Sequence, residues 1–217
     1  MGRRALRPIH PELDLSGHLR ALEELPRPWD TAQLFGRQAP LEVDVGCGKG
    51  MFLAGASAEQ PETNFLGIER AVRYARYSAA RLARQEAKNA IVVAADAQRV
   101  FAELLPDASL AAVHVYFPDP WWKARHRKRR VLNATFVRDV ERTLIPGGRL
   151  HFWTDVEEYY LSTLELLAAE TVLRGPLEVV ESPAAHDLDY RTNFERRTRQ
   201  HQRDVYRCEY EKRSTGS

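Results

Sequence analysis

From Leu41 onward, short apolar runs alternate with stretches of helical period in the order strand, helix, strand, helix. Residues 41–45 form the first apolar run and end in Gly46-Cys47-Gly48-Lys49-Gly50, and residues 51–58 then read as a helix closed by Pro61. A second strand at residues 65–68 ends at Glu69. Ala71, Ala75, Ala79 and Leu82 mark the buried face of the next helix, whose other face carries Arg73, Arg76, Arg81 and Arg84. A third strand at 91–94 ends at Asp96, and a fourth at 110–117 ends at Pro118-Asp119-Pro120. A helix at 136–144 stops at Pro146-Gly147-Gly148, a fifth strand at 149–153 ends at Thr154-Asp155, and a helix follows at 156–171. Runs at 177–181 and 205–211 predict two final strands that pair antiparallel across the segment between them. This alternation predicts an α/β fold, a doubly wound, mostly parallel seven-stranded sheet with helices on both faces and its last strand antiparallel. The residues before it, broken by Pro8, Pro11, Pro26 and Pro28, predict an N-terminal arm (1–38) packed on one domain (39–213), with 214–217 as a tail.

Composition narrows the class without changing that picture. The chain has 217 residues, 44% apolar and 29% charged, which suits one globular domain and excludes a disordered chain or a coiled rod. Its apolar stretches are far shorter than the roughly 20 residues a membrane helix needs, so no membrane partner is expected. The basic start leads into no apolar segment, and Leu6 stands where a myristoylation motif requires Ser or Thr, so a cytoplasmic protein without leader or lipid anchor is expected. Cys47 and Cys208 form no C-x-x-C pair and the seven His show no ligand spacing, so neither a disulfide nor a metal site is expected. The net charge of +2 hides a local asymmetry: Lys123, Arg125, Arg127, Lys128, Arg129 and Arg130 crowd into eight residues with no acid among them.

Chemistry concentrates where the strands end. In open parallel sheets, ligands bind at the carboxyl ends of the strands, near the point where strand order reverses. Asp44 precedes the glycine turn, and Glu69, Asp96, Asp119 and Asp155 lie at or just beyond the ends of strands two to five, so five carboxylates face one rim. The bland reading of any one of them is a helix cap or a solvated acid. The glycine turn fits neither a dinucleotide fingerprint, since its third glycine comes one residue early, nor a P-loop. Asp44 with Gly46, Gly48 and Gly50 suits a nucleoside cofactor with a cationic aminoacyl tail, because glycines admit close approach and a carboxylate pairs with an ammonium or sulfonium. Glu69 is placed for both ribose hydroxyls, and Asp96-Ala97 for an adenine edge. S-adenosylmethionine requires that arrangement.

Phe117-Pro118-Asp119-Pro120-Trp121-Trp122 followed by the cationic run is the most specific segment of the chain. A charge run by itself is usually a solvated loop. Joined to a rim acid and two Trp it points to nucleic acid, since aromatic faces stack bases while Arg and Lys hold phosphates.

These residues resemble the bacterial tRNA (guanine-N7)-methyltransferases, a family of the class I, Rossmann-like, S-adenosylmethionine-dependent fold. The resemblance runs over residues 41–210 and rests on the D-V-G-C-G-K-G turn, Gly67-Ile68-Glu69, Asp96-Ala97, the block from Pro118 to Arg130, Thr154-Asp155-x-Glu157 and Thr192-Asn193-Phe194-Glu195-x-Arg197. It implies S-adenosyl-L-methionine as cofactor, tRNA as partner, and methyl transfer to N7 of a variable-loop guanine. Asp44, Glu69, Asp96 and Asp119 are thereby assigned to the cofactor or the reaction centre, with Asp119 the catalytic carboxylate. Lys123 and Asp155 go to the substrate, Thr192, Asn193, Phe194 and Glu195 to the guanine site, and Arg125, His126, Arg127, Lys128, Arg129 and Arg130 to RNA contact. The chain departs from the family pattern at Asp44, which replaces a Glu, after Glu69, where Ala71-Val72-Arg73-Tyr74 replaces a Pro-Gly-Val pattern, and at Gln200-His201, which replaces a glycine. An exocyclic-amine methyltransferase and a non-catalytic RNA-binding module remain alternatives, and monomer and homodimer are both open.

Overall fold

The apolar runs at 41–45, 65–68, 91–94, 110–117, 149–153 and 205–211 become strands, the strand expected at 177–181 is corrected to Arg174–Leu177, and the computed structural model adds one strand that periodicity does not predict. The structure describes Leu6 and residues 8–121, 123–179 and 204–214, without the side chains of Ala124 and Arg127. The strands are β1 (Leu19–Ala21), β2 (Leu41–Val45), β3 (Asn64–Ile68), β4 (Ala90–Ala94), β5 (Leu110–Tyr116), β6 (Leu144–Thr154), β7 (Arg174–Leu177) and β8 (Tyr206–Glu211). The helices are α1 (Thr31–Phe35), α2 (Met51–Glu59), α3 (Val72–Arg84), α4 (Ala97–Glu103), α5 (Ala134–Thr143) and α6 (Glu157–Glu170), with a 3-10 helix at Ala124–Arg129.

One eight-stranded sheet runs in the order β1-β4-β3-β2-β5-β6-β8-β7. Among the described residues, the expected seven strands are thus corrected to eight. The added strand, β1, comes from the Pro-broken arm and lies parallel to β4, with Leu19 opposite Val92. Three residues are too few to show an alternation, so only the free edge of β4 reveals it as a strand. β8 is antiparallel to both β6 and β7, as the sequence predicts. The chain builds outward through β2, β3 and β4 and then returns to place β5 on the other side of β2, so strand order reverses between β2 and β5.

β6 begins earlier than predicted and runs through Pro146-Gly147-Gly148. A register shift between Leu110 and Ala112 absorbs the irregularity. Gly148 permits it, because a Cβ there would lie 3.1 Å from the carbonyl oxygens of Leu110 and Ala111. Helix α4, which the periodicity does not show, is capped by Asp96.

Two apolar layers sandwich the sheet. Phe52, Leu53, Ala75, Ala79 and Leu82 of α2 and α3 pack on one side with Phe65 and Val92. On the other, Val100, Phe101, Phe136, Val137, Val140 and Leu167 pack on Val43, Leu66, Val113 and Val115. His114, buried at the sheet centre, is hydrogen-bonded to Glu42 Oε2 (2.8 Å) and to the Tyr116 hydroxyl (2.9 Å). It also stacks on His151 at 4.6 Å between ring centroids. His151 in turn reaches Glu209 Oε1 at 3.0 Å, so these histidines form a satisfied polar row across the sheet. Among the described residues, no helix is long and apolar enough to cross a membrane.

Candidate active site

Strand order reverses between β2 and β5, the place where open parallel sheets bind ligands, and the rim acids lie at the carboxyl ends of β2 to β6. Gly46, Gly48 and Gly50 all have positive φ (75°, 54° and 66°), which coils the backbone after β2 into a tight turn. A Cβ at Gly50 would run into the Ser78 side chain of α3, so that glycine lets turn and helix approach. A Cβ at Gly46 would meet nothing within 4 Å, so the space in front of the turn is open to a ligand.

Glu69 joins the turn to β3. Its Oε2 accepts the Gly48 N–H at 3.0 Å and its Oε1 accepts the Ala71 N–H at 2.8 Å. Both oxygens are held by backbone, and each keeps a further lone pair for an outside donor. Asp44 sits behind, 4% exposed, and its carboxylate accepts no hydrogen bond among the described residues. Burial, reinforced by the negative charge of Glu69, pushes its pKa up to about 8. A buried carboxyl without a counter-charge is a site in want of a cation.

Asp96 takes the bland role in part, since its Oδ1 caps α4 by accepting the Gln98 N–H at 3.0 Å. Its Oδ2 faces outward, 3.8 Å from Arg70, and Ala97 is buried beside it in the first turn of α4.

The loop after β5 is strained. Phe117 and Trp121 have φ of 50° and 47°, a left-handed conformation that bulky residues avoid. They bracket Pro118-Asp119-Pro120 and leave Asp119 exposed on the rim. Strain of this kind persists where surrounding contacts over-determine the backbone, and it clusters at functional sites. Asp155, after β6, is exposed on the same side.

The cationic run forms a 3-10 helix. Trp121 organises it from within: the Arg129 guanidinium lies 5.1 Å over its ring and the His126 ring meets it edge-on at 6.0 Å. Lys123, Arg125, Lys128 and Arg129 are exposed. Arg130 differs from the rest of the run: it is 7% exposed, with Glu158 Oε2 2.6 Å from its Nη2. Thr192, Asn193, Phe194 and Glu195 lie outside the described residues, as does the Arg127 side chain.

Three rim residues escape the sequence reading. Tyr116 and Trp153, at the ends of β5 and β6, pack with ring centroids 4.9 Å apart, and Arg207 lies 4.9 Å over the indole. The available signal was the shared position of the two rings as strand-end aromatics, which the apolar pattern absorbs as core.

A doubly wound sheet with a glycine turn after its first central strand and an acid after the second defines a class I, Rossmann-like methyltransferase domain. Solved structures with that fold superpose on it. The aminoglycoside resistance methyltransferase NpmB1 matches with a TM-score of 0.53 at 22% identity, covering 85% of this chain and 95% of that one. The tRNA (m1A58) methyltransferase of Aquifex aeolicus matches with a TM-score of 0.53 at 16% identity, covering 81% and 63%. Residues 38–208 match the family described as "Putative methyltransferase". A tRNA (guanine-N(7)-)-methyltransferase of Rhodopirellula baltica is 49% identical over 220 residues, covering 99% of this chain and 81% of the relative. Another, from Rubrobacter xylanophilus, is 34% identical over 203 residues, covering 90% and 86%. The chain belongs to the bacterial tRNA (guanine-N7)-methyltransferase family.

Proposed function

We propose that this protein transfers the methyl group of S-adenosylmethionine to N7 of a guanine in tRNA, in the cytoplasm, and that the rim between β2 and β5 is where it does so. The observation that carries the reading is the meeting, on one rim, of a carboxyl buried without a counter-charge among the described residues, behind an open glycine turn, and a strained Asp119 loop that continues into a cationic helix.

The residues present fit the cofactor. Asp44 would supply the negative charge that an aminoacyl cation needs, Gly46 and Gly48 would leave room for it, Glu69 would accept from the ribose hydroxyls, and Asp96 with Ala97 would border the base. S-adenosylmethionine supplies an electrophilic methyl group together with the positive charge that activates it. Guanine N7 bears a lone pair and no proton, so the chain's residues have no proton to remove. Their work is to align the base and to offset the positive charge that grows on the purine. In this reading Asp119 serves the second task, and Lys123 and Asp155 hold the nucleotide. Thr192, Asn193, Phe194 and Glu195 complete the guanine site in this proposal. Because N7 is poorly reached in the deep groove of an A-form helix, the target base lies in a loop, the variable loop in this reading.

The deciding experiment incubates purified protein with methyl-labelled S-adenosylmethionine and unmodified tRNA and maps the product. The expected nucleotide carries a fixed positive charge and cleaves with aniline after mild reduction; a neutral N2-methylguanine would overturn the reading.

Two further outcomes are expected. Glu69→Ala weakens binding of S-adenosylhomocysteine by about 2 to 3 kcal/mol, the scale for a charge-assisted pair of hydrogen bonds. Calorimetry without RNA reads this directly, and equal affinity in variant and parent would move the ribose site elsewhere. Replacing Arg127, Lys128 and Arg129 together by Ala weakens tRNA binding and lowers its salt dependence by roughly one unit of slope for each phosphate no longer neutralised, with cofactor affinity unchanged. Unaltered tRNA affinity at moderate salt would remove the cationic helix from the interface.

A further inference from the structure

The last cation of the run behaves unlike its neighbours. Arg130 Nε donates to the carbonyl of Pro120 at 2.8 Å. Its Nη2 donates to Glu158 Oε2 at 2.6 Å, and its Nη1 reaches Ser162 Oγ at 3.2 Å and Glu158 Oε1 at 3.4 Å. The guanidinium lies 4.3 Å over the ring of Tyr159, itself almost fully buried. Glu158 and Ser162 stand one turn apart on α6, and Pro120 directly follows Asp119. One planar group therefore joins the strained Asp119 loop to a rigid helix.

The chemistry explains why an arginine stands there. A buried cation is costly unless paired and hydrogen-bonded, and only a fork of fixed donors serves a carbonyl, a hydroxyl and a carboxylate at once. The anchored carbonyl lies between the two left-handed residues, Phe117 and Trp121. Their backbone strain needs an external restraint, which the Arg130 contact provides. Burial raises the pKa of the Tyr159 phenol, and the charge of Asp119 adds to it, so the same cluster lies within electrostatic reach of the rim acid.

We propose that Arg130 is a positioning residue for methyl transfer: held by Glu158 and Ser162, it pins the Pro120 carbonyl and thereby sets the placement of the Asp119 carboxylate, and it does not contact RNA. The proposal rests on the reading of Asp119 as part of the reaction centre.

Two substitutions at the arginine separate the roles. Arg130→Lys keeps the charge and loses the fork, and Arg130→Met removes the charge. Both are expected to slow single-turnover methylation at saturating cofactor and tRNA by about 10- to 100-fold, the scale of a small misplacement. The tRNA dissociation constant and its salt slope stay those of the parent in Arg130→Met. Glu158→Gln, which loosens the latch from the helix side, slows the reaction in the same sense. Combined with Arg130→Lys it adds less than the product of the two single effects. A parent-like rate in Arg130→Lys would overturn the proposal, as would a salt slope in Arg130→Met reduced by about one unit, the mark of a phosphate left without its cation. If thermal melting shows that neither arginine variant folds, Glu158→Gln decides alone, and a parent-like rate there overturns it. All rates are compared with a parent shown to form 7-methylguanine. A parent that forms none defeats the functional reading instead.

Discussion

Asp119→Asn slows methyl transfer by a factor equivalent to about 2 to 4 kcal/mol in the barrier, the range for removal of one preorganised electrostatic interaction at a reacting centre. Asparagine keeps the size of the side chain and one acceptor oxygen and removes only the negative charge. That charge matters most when the purine becomes cationic, so the effect falls on the single-turnover rate and not on cofactor affinity. Asp119 is exposed on a loop bracketed by Phe117 and Trp121, and asparagine keeps the shape and an acceptor oxygen at that position. The melting temperature should therefore match the parent's. If the side chain served only to brace the loop, stability and tRNA binding would fall along with rate. A folded Asp119→Asn protein with a parent-like single-turnover rate would end the catalytic assignment.

Asp44→Asn abolishes a pH dependence that the parent shows. The carboxyl has its pKa raised from 3.8 to about 8 by burial, with a further push from Glu69. An acid whose pKa is raised on folding destabilises the native state once the unfolded chain can ionise. Stability of the ligand-free parent therefore declines as pH rises from about 4 to about 8, and it levels off above that. At about 1.4 kcal/mol per pKa unit, the shift sets a ceiling of roughly 5 to 6 kcal/mol on that decline. The asparagine variant lacks it, so its melting temperature overtakes the parent's toward pH 8. Binding of an aminoacyl cation reverses the balance by giving the carboxylate its partner. S-adenosylhomocysteine should thus stabilise the parent far more than the variant, and its binding at neutral pH should release a proton, which calorimetry in buffers of different ionisation enthalpy detects. Parallel pH profiles of melting temperature in parent and variant would show that Asp44 does not carry this charge.

Most of the scaffold was legible before folding because local patterns report local structure. The apolar runs at 41–45 and 65–68 match β2 and β3 to within a residue, since a buried parallel strand has few ways to be written other than as a continuous apolar run. The glycine turn was equally plain: three alternating glycines after a strand have little use except a backbone of positive φ. The cationic block pointed to an anionic partner through its attachment to a rim acid and two Trp, which charge alone would not have done.

What escaped the sequence depends on contacts between distant segments. Asp44 and Asp96 look alike as strand-end acids, yet one oxygen of Asp96 caps α4 at the surface while Asp44 is enclosed without a counter-charge among the described residues. That difference arises from packing around β2, which no local window contains. Arg129 and Arg130 are adjacent and chemically identical, yet one lies over Trp121 at the surface and the other turns inward to α6. Helix α6 supplies Glu158, 28 residues downstream, and its approach to the Asp119 loop decides which guanidinium is buried. β1 likewise becomes a strand only because β4 offers an edge. By itself, then, the sequence determined the alternation of the central strands and helices, the glycine turn and the rim where the acids gather, because these are written in periods of two to four residues and in backbone demands that glycine alone meets. Only the tertiary structure decided which charges are exposed, paired or stranded, because burial and partnership are properties of segments brought together from far apart in the chain.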